Sequence, residues 1–554
     1  MKILFITTAH NSLSQRLYVE LTQKKHHINV LIAVDEEAMC NAVEKFKPEL
    51  IICPMLKSAI PKQIWMQHVC LIVHPGIVGD RGASSLDWAI MEDCENWGVT
   101  ILQAAEEMDA GDIWAYKSFK MRNASKSALY RLEVTEAAVV AVLEAVTNFE
   151  SKNFIPTPLN YDNYSVRGTL RPSMKQSDRK IDWNESTEFI SRKIRAADSF
   201  PGVIDTIYDE EYFLYGVYEE DFLKGIPGTI IGQREGAICI ATGNGAVWIT
   251  HLKKRTIKDK KFIKLPSSMV LGEKVKNIPE ISIEFDHPLD GKSYRDIWYE
   301  ESNQVGYLYF DFYNGAMSTH QCNRLLKLFK ETKEKNTKVI VLMGGEFWSN
   351  GINLNTIEAS NNAAKESWDN INAMNDLILE ILTTESHLII SAMQGNSGAG
   401  GVILGLAADI VYARTGVIMN PHYKSMGNLY GSEYWTYLLP KRVGFVKATE
   451  LTEQCLPIGS NDAQVIGLLD GAFGSSLDSF KNEVKKRAEM FIYNHELSFI
   501  LAEKSLSFNE EKSQNNLKKH RAEELRKMWE NFYGEDSRYH EARNKFVYKI
   551  ASVA

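Results

Sequence analysis

Residues Val69–Asp93 read VCLIVHPGIVGDRGASSLDWAIMED. An apolar run ends at His74, Pro75-Gly76 opens a loop with further glycines at Gly79 and Gly82, and a helix-like run begins at Asp87. A strand that is apolar along its whole length belongs in a sheet covered on both faces. Such sheets bind ligands at the carboxyl ends of their strands, which is where His74 falls.

The segments before this stretch agree with it. KILFIT, INVLIAV and ELIICP read as strands, and SQRLYVELTQKK and EEAMCNAVEKF read as the helices between them. The alternation predicts an α/β domain with a parallel sheet. Around Lys152–Asn160 two prolines in polar surroundings mark a linker. Short apolar runs between glycines, GTIIG, AICIAT and AVWITH, then predict a small β-barrel-like domain. A polar passage at Pro288–Asn303 is a second boundary. Strand and helix patterns resume with VGYLYFDFY, KVIVLMGG and HLIISAM, and the chain closes on a charged helical tail that includes NNLKKHRAEELRKMWENFY. The expected domains are 1–155, 156–287, 303–495 and a helical extension at 496–554. The tail reads as an amphipathic helix packed on the domain before it rather than as a partner-binding arm.

With 554 residues the chain is long enough for several cores. Its net charge of −8 argues against a nucleic-acid partner. Seven cysteines are scattered with no CxxC pair, which fits reduced thiols in a cytoplasmic protein and no metal site. The opening MKILFITTAH has too short an apolar run for a signal peptide, and no segment reaches the length of a membrane span.

The loop after His74 carries more than a fold. Arg81-Gly82, Ala89-Ile90, Gly98-Val99-Thr100 and the turn Asp109-Ala110-Gly111-Asp112 follow it in order. Together they resemble the folate-dependent formyltransferases, and the likeness extends into SDRKIDW (177–183) and IRAADSFPGV (194–203). The resemblance implies 10-formyltetrahydrofolate as formyl donor. It makes His74 the acid/base or polarising group and Asp112 its carboxylate partner, with Arg81, Gly82 and Asp109 toward the folate. A histidine suits a reaction that passes through a tetrahedral oxyanion, since it can donate to that oxygen or move a proton. One departure stands out. The family pattern is Asn-x-His, whereas this chain has Ile72-Val73-His74. Loss of one oxyanion donor costs on the order of 10²–10³ in rate. A thiolate, intrinsically a strong nucleophile, is an acceptor that needs less of that help.

The second half resembles a different superfamily. GGEFWSNGINL (344–354), QGNSGAGGVILGLAADIVYAR (394–414), NPHYKSMG (420–427), LLPKRVG (438–444) and GLLDGAF (467–473) resemble the crotonases, the enoyl-CoA hydratases and isomerases. The likeness implies coenzyme A as ligand, with the backbone N–H groups of Ile352 and Gly400 gripping a thioester oxygen. Ser349, Gly351, Gly401 and Ile403 would line that site. The hydratase glutamates are absent: one position is Ile403 and the other His422. His422, Tyr423 and Glu433 are the remaining polar candidates for proton transfer, the last two equally readable as pocket lining.

As a whole the chain resembles hydrogenase maturation factors in which these two halves are fused. That likeness implies formyl transfer to coenzyme A, then decarbonylation of formyl-CoA to carbon monoxide for a nickel–iron hydrogenase. Partners would be small molecules, with transient contact to other maturation proteins and none to membrane. Two other readings stay open: a formyltransferase acting on an amine with a non-catalytic crotonase-like scaffold, and a ligand-binding regulatory module.

Overall fold

The computed structural model describes residues 1–163, 166–256, 260–493, 496–513 and 515–550. The last four residues of the expected helical extension, 551–554, lie outside the described residues. The chain divides into two compact units, 1–231 with 240–249 and 232–239 with 250–554.

The first sheet holds β1 (Lys2–Thr7), β2 (His27–Ile32), β3 (Leu50–Cys53), β4 (Cys70–His74), β5 (Asn96–Gln103) and β6 (Ile113–Lys120), in the order β2-β1-β3-β4-β5-β6. The first four strands are parallel, as the alternation predicts. The helices between them start at sequence-coded caps. Asn11 forms a capping box with Ser14, and the Asp35 side chain accepts from Ala38 N–H. β5 and β6 add an antiparallel edge, with His74 opposite Thr100 across the β4–β5 pair. The β5–β6 turn doubles back tightly, because a Cβ at Gly111 would collide with the Gln103 carbonyl. This turn leaves the sheet beside Cys70, at the other end of β4 from His74, with Ala104 N–H donating to Cys70 O.

The second sheet holds β7 (Val203–Ile207), β8 (Glu210–Glu220), β9 (Ile230–Arg234), β10 (Ala237–Ala241) and β11 (Ala246–Lys254), in the order β7-β8-β11-β10-β9. The last three coincide with the glycine-flanked apolar runs. The β7–β8 hairpin was not legible in the sequence, because its two-residue turn is Tyr208-Asp209. Both residues have positive φ, 49° and 62°, the geometry of a type I′ turn without the usual glycine.

The third sheet orders Ile297–Ser302, Val305–Phe310, Val339–Gly344, Leu388–Met393, Ile410–Arg414 and Gly471–Phe473 as successive neighbours. The first pair is antiparallel and the rest parallel. One face packs on the helices Thr319–Lys333 and Ala363–Leu382 in a core that includes Leu308, Leu342, Met374 and Ile378. Beyond it lie the helices Glu496–Ser513, Asn516–Tyr533 and Arg538–Tyr548. Met528, Phe532 and Tyr539 of the last two join that core, so the tail does pack on the domain before it. No described helix is long and apolar enough to cross a membrane.

Candidate active sites

His74 ends β4 and is 4% exposed. The loop it opens is held by its own carbonyls. Pro75 O accepts from Ser85 Oγ and Trp97 Nε1, both at 2.9 Å, and Gly76 O accepts from Thr100 Oγ1 at 2.8 Å. The loop then returns a carboxylate to the ring. Asp80 Oδ2 lies 2.9 Å from His74 Nε2, and Asp80 is itself buried. This pair explains Gly76: a Cβ there would collide with both the Asp80 carboxylate and the His74 ring.

A second carboxylate faces the other nitrogen. Asp109 Oδ2 is 3.7 Å from His74 Nδ1 and accepts the Gly82 N–H at 3.2 Å. Asp109 occupies a left-handed corner of the β5–β6 turn, φ 54°. Arg81 ties the same turn down, with Nε donating to Met108 O at 2.9 Å and its guanidinium 3.3 Å from Glu107. Arg81 and Gly82 therefore join the His74 loop to the Asp109 turn.

Among the described residues His74 makes no hydrogen bond or ion pair with Asp112, and the carboxylates at its ring nitrogens are those of Asp80 and Asp109. Asp112 has already entered the β5–β6 ladder, its carbonyl accepting Gln103 N–H at 2.9 Å, and its carboxylate has no partner among the described residues. Asp80 went unread in the sequence. A signal was present in its position directly before the Arg-Gly pair, six residues after the histidine.

The second constellation gathers where the loop 344–354 meets the helix Gly400–Leu406. Gly351, φ 75°, lies so near that a Cβ on it would sit 3.3 Å from Gly400 N. Gly401 packs against the Ser349 backbone with no room for a side chain. Ser349 organises the turn: its carbonyl accepts Gly398 N–H at 2.9 Å and its hydroxyl accepts Gly351 N–H at 3.1 Å. Trp348 Nε1 donates to Gly401 O at 2.8 Å. The N–H groups of Ile352 and Gly400 have no acceptor among the described residues. Gly400 is the first residue of its helix, so its N–H has no intrahelical partner to find. Two such donors on adjoining segments suit an oxyanion. Ile403, one turn along the same helix, is fully buried in the apolar core.

Glu433 closes this site. It is 1% exposed, and a Cβ at Gly400 would collide with its carboxyl. Its Oε2 accepts the Tyr423 hydroxyl at 2.9 Å and the Ser432 N–H at 3.0 Å. Burial is the main cause that pushes the Glu433 carboxyl up to about 8, the neighbouring Glu524 charge acting in the same direction. Tyr423 is raised well above its ordinary value by burial and then by Glu433. Glu433 and Tyr434 both have left-handed backbones, φ 64° and 62°, the kind of strain that persists where surroundings over-determine it. His422 precedes Tyr423. Both its ring nitrogens are buried without a hydrogen-bond partner among the described residues, and burial lowers its pKa. Tyr423 and Glu433 thus meet Gly400 in one place, whereas His422 makes no hydrogen bond to either.

Comparison with known proteins follows the same division. Residues 33–146 match the formyl transferase family, 173–265 the formyl transferase C-terminal domain, and 304–552 the enoyl-CoA hydratase/isomerase family. The hydrogenase maturation factor HoxX of Bradyrhizobium diazoefficiens is 43% identical over 552 residues, 99% of this chain and 95% of that one. The chain belongs to the HypX/HoxX family of hydrogenase maturation factors. The crystal structure of HypX from Aquifex aeolicus in complex with tetrahydrofolic acid has 47% identity and a TM-score of 0.96, over 100% of this chain and 97% of that one. The formyltransferase half alone is 26% identical to methionyl-tRNA formyltransferase of Bacillus velezensis over 270 residues, 46% of this chain and 83% of the relative. HypX/HoxX membership thus joins in one chain the two constellations built above.

Proposed function

We propose that this member of the HypX/HoxX family makes carbon monoxide in two steps, formyl transfer from 10-formyltetrahydrofolate to the thiol of coenzyme A, then decarbonylation of formyl-CoA. In the first step a thiolate sulfur adds to the formyl carbon, the tetrahedral oxyanion collapses, the C–N bond breaks and the nitrogen takes up a proton. His74, held between Asp80 and Asp109, moves that proton. The folate-bound Aquifex relative supports a folate donor here.

In the second step the thioester oxygen lies on the N–H groups of Ile352 and Gly400. Glu433, protonated near neutral pH because burial raises it to about 8, donates its proton to the leaving sulfur. The carboxylate so formed takes the formyl proton as the C–S bond breaks. The products are CO and free thiol, and the acid is regenerated. Tyr423 steadies the carboxylate through its hydroxyl. Ile403 offers no group to activate water, so the thioester is not steered to hydrolysis.

The observation that carries the reading is the Glu433 carboxyl packed on Gly400, an acid placed against the predicted thioester grip in a site without hydratase glutamates. The test is the purified chain with 10-formyltetrahydrofolate and coenzyme A over a haem CO trap. CO formation that needs both substrates supports the reading. Formyl transfer to an amine, or binding of both ligands without turnover, overturns it in favour of a plain formyltransferase or a ligand-binding module.

A further inference from the structure

The helix Asn516–Tyr533 lies in the charged tail, outside the formyltransferase-like and crotonase-like motifs quoted above. Its inner face nevertheless buries a carboxylate, Glu524, at 0% exposure. No cation lies within ion-pair distance of Glu524 among the described residues. Its oxygens accept instead from Tyr434 N–H at 2.9 Å, Thr436 N–H at 2.9 Å, Thr436 Oγ1 at 2.6 Å and Ser432 Oγ at 3.3 Å. All four donors belong to the five-residue segment that contains Glu433.

This segment needs such a brace. It contains two successive left-handed residues, Glu433 and Tyr434, and then opens the helix Trp435–Gln454, whose first turn has no side-chain cap of its own. The first N–H groups of a helix require an acceptor when buried. Glu524 supplies it from a helix some ninety residues away in sequence. On the opposite side Asn375 Oδ1 takes the Glu433 N–H at 2.8 Å. An unpaired buried carboxylate is costly unless it is hydrogen-bonded, and every acceptor use found for this one falls on the Glu433 turn.

We propose that Glu524 is a positioning residue for Glu433, holding the Ser432–Thr436 turn in the strained form that aims the Glu433 carboxyl at Gly400. This rests on the reading that Glu433 acts on the formyl thioester. Glu524 also sets charge. The groups facing Glu433 are Tyr423 from its own loop region, Cys322 from the helix Thr319–Lys333, and Glu524 from the tail. Glu524 is the carboxylate among them, so it disfavours a second negative charge on Glu433 and keeps it a proton donor. Around Glu524 itself, His520 bonds Thr436 Oγ1 at 2.8 Å, and Arg521 is paired with Asp376 at 2.6 Å.

The test uses the full chain with Glu524→Gln, which keeps size and one acceptor but removes the charge. Thr436→Val is the second variant; it deletes the 2.6 Å bond and leaves Glu524 in place. CO release from supplied formyl-CoA is measured against pH. The titration of Glu433 is followed separately, through the infrared carboxyl band that Glu433→Gln removes. Both variants are expected to release CO at least tenfold more slowly at pH 7. In Glu524→Gln the Glu433 titration should move down by about half to one pH unit, as expected for loss of a nearby like charge. Formyl transfer to coenzyme A should be unchanged in both. Unaltered CO release and an unmoved Glu433 band, in whichever variant folds, overturn the proposal. If the wild-type chain releases no CO from formyl-CoA, the thioester reading fails. The Glu433 band then decides the positioning role alone, a shift supporting it and constancy refuting it.

Discussion

Asp80 Oδ2 lies 2.9 Å from Nε2 of His74, and the intervening Gly76 leaves no room for a side chain beside that pair. With Asp109 at Nδ1, both ring nitrogens face a carboxylate. An imidazole held on both edges has its ring plane set before substrate arrives.

The aspartates should therefore differ sharply on substitution. Asp80→Asn and Asp109→Asn are expected to slow formyl transfer to coenzyme A by roughly 10²-fold, the scale of a disabled general acid–base group. Asp112→Asn should retain most of the rate, because its backbone rather than its carboxylate is engaged. Single-turnover formyl transfer at matched folate saturation measures this. A larger loss in Asp112→Asn than in Asp109→Asn would support Asp112 as the partner of His74.

Tyr423→Phe tests the second site. The Tyr423 hydroxyl bond holds the Glu433 pKa down against burial, so its removal should raise that pKa further. The CO-release profile from formyl-CoA should move to higher pH on its alkaline limb, with the rate at pH 7 reduced severalfold. A profile that moves to lower pH would contradict the donor role given to Tyr423.

Glu433 and Glu524 also predict a pH dependence of stability. Burial raises their carboxyls to about 8 and about 7, so the folded chain holds protons that the unfolded chain has lost. Their contribution is fully present below the ordinary glutamate range and is lost as pH rises through about 7 and about 8. Glu433→Gln cannot ionise. Its Tm minus the wild-type Tm should therefore grow between pH 5.5 and pH 8.5, measured by calorimetry. A difference that shrinks or stays constant would show that Glu433 is not a buried, protonated acid.

Ile403→Glu asks whether the apolar wall decides the product. A carboxylate there could recruit water as a general base, and formate would compete with CO from supplied formyl-CoA. The position is fully buried, so the new group carries a desolvation cost and fold must be verified first. The formate-to-CO ratio is expected to rise with thiol release largely kept. A folded variant with an unchanged ratio would show that Ile403 does not control water.

What the sequence by itself determined is whatever is local or periodic. Apolar runs at strand spacing placed β1, β3 and β4, and the patterns between them placed the helices that follow β1 and β2. The resemblance to the crotonases pointed to the glycines at 351, 400 and 401, where a backbone can approach a ligand closely. The strand pattern put His74 at a strand's carboxyl end, where such sheets bind ligands. Tertiary structure decided which charged groups meet. Asp109 and Asp112 are three residues apart, yet the first lies 3.7 Å from His74 Nδ1 while the carbonyl of the second accepts Gln103 N–H. Glu524 sits in a tail whose pattern of charges reads as a solvated face, yet it is buried under the Glu433 turn. A carboxylate on a helix carries no local mark of burial. Its pKa and its use depend on which distant backbone N–H groups the fold brings within hydrogen-bond reach.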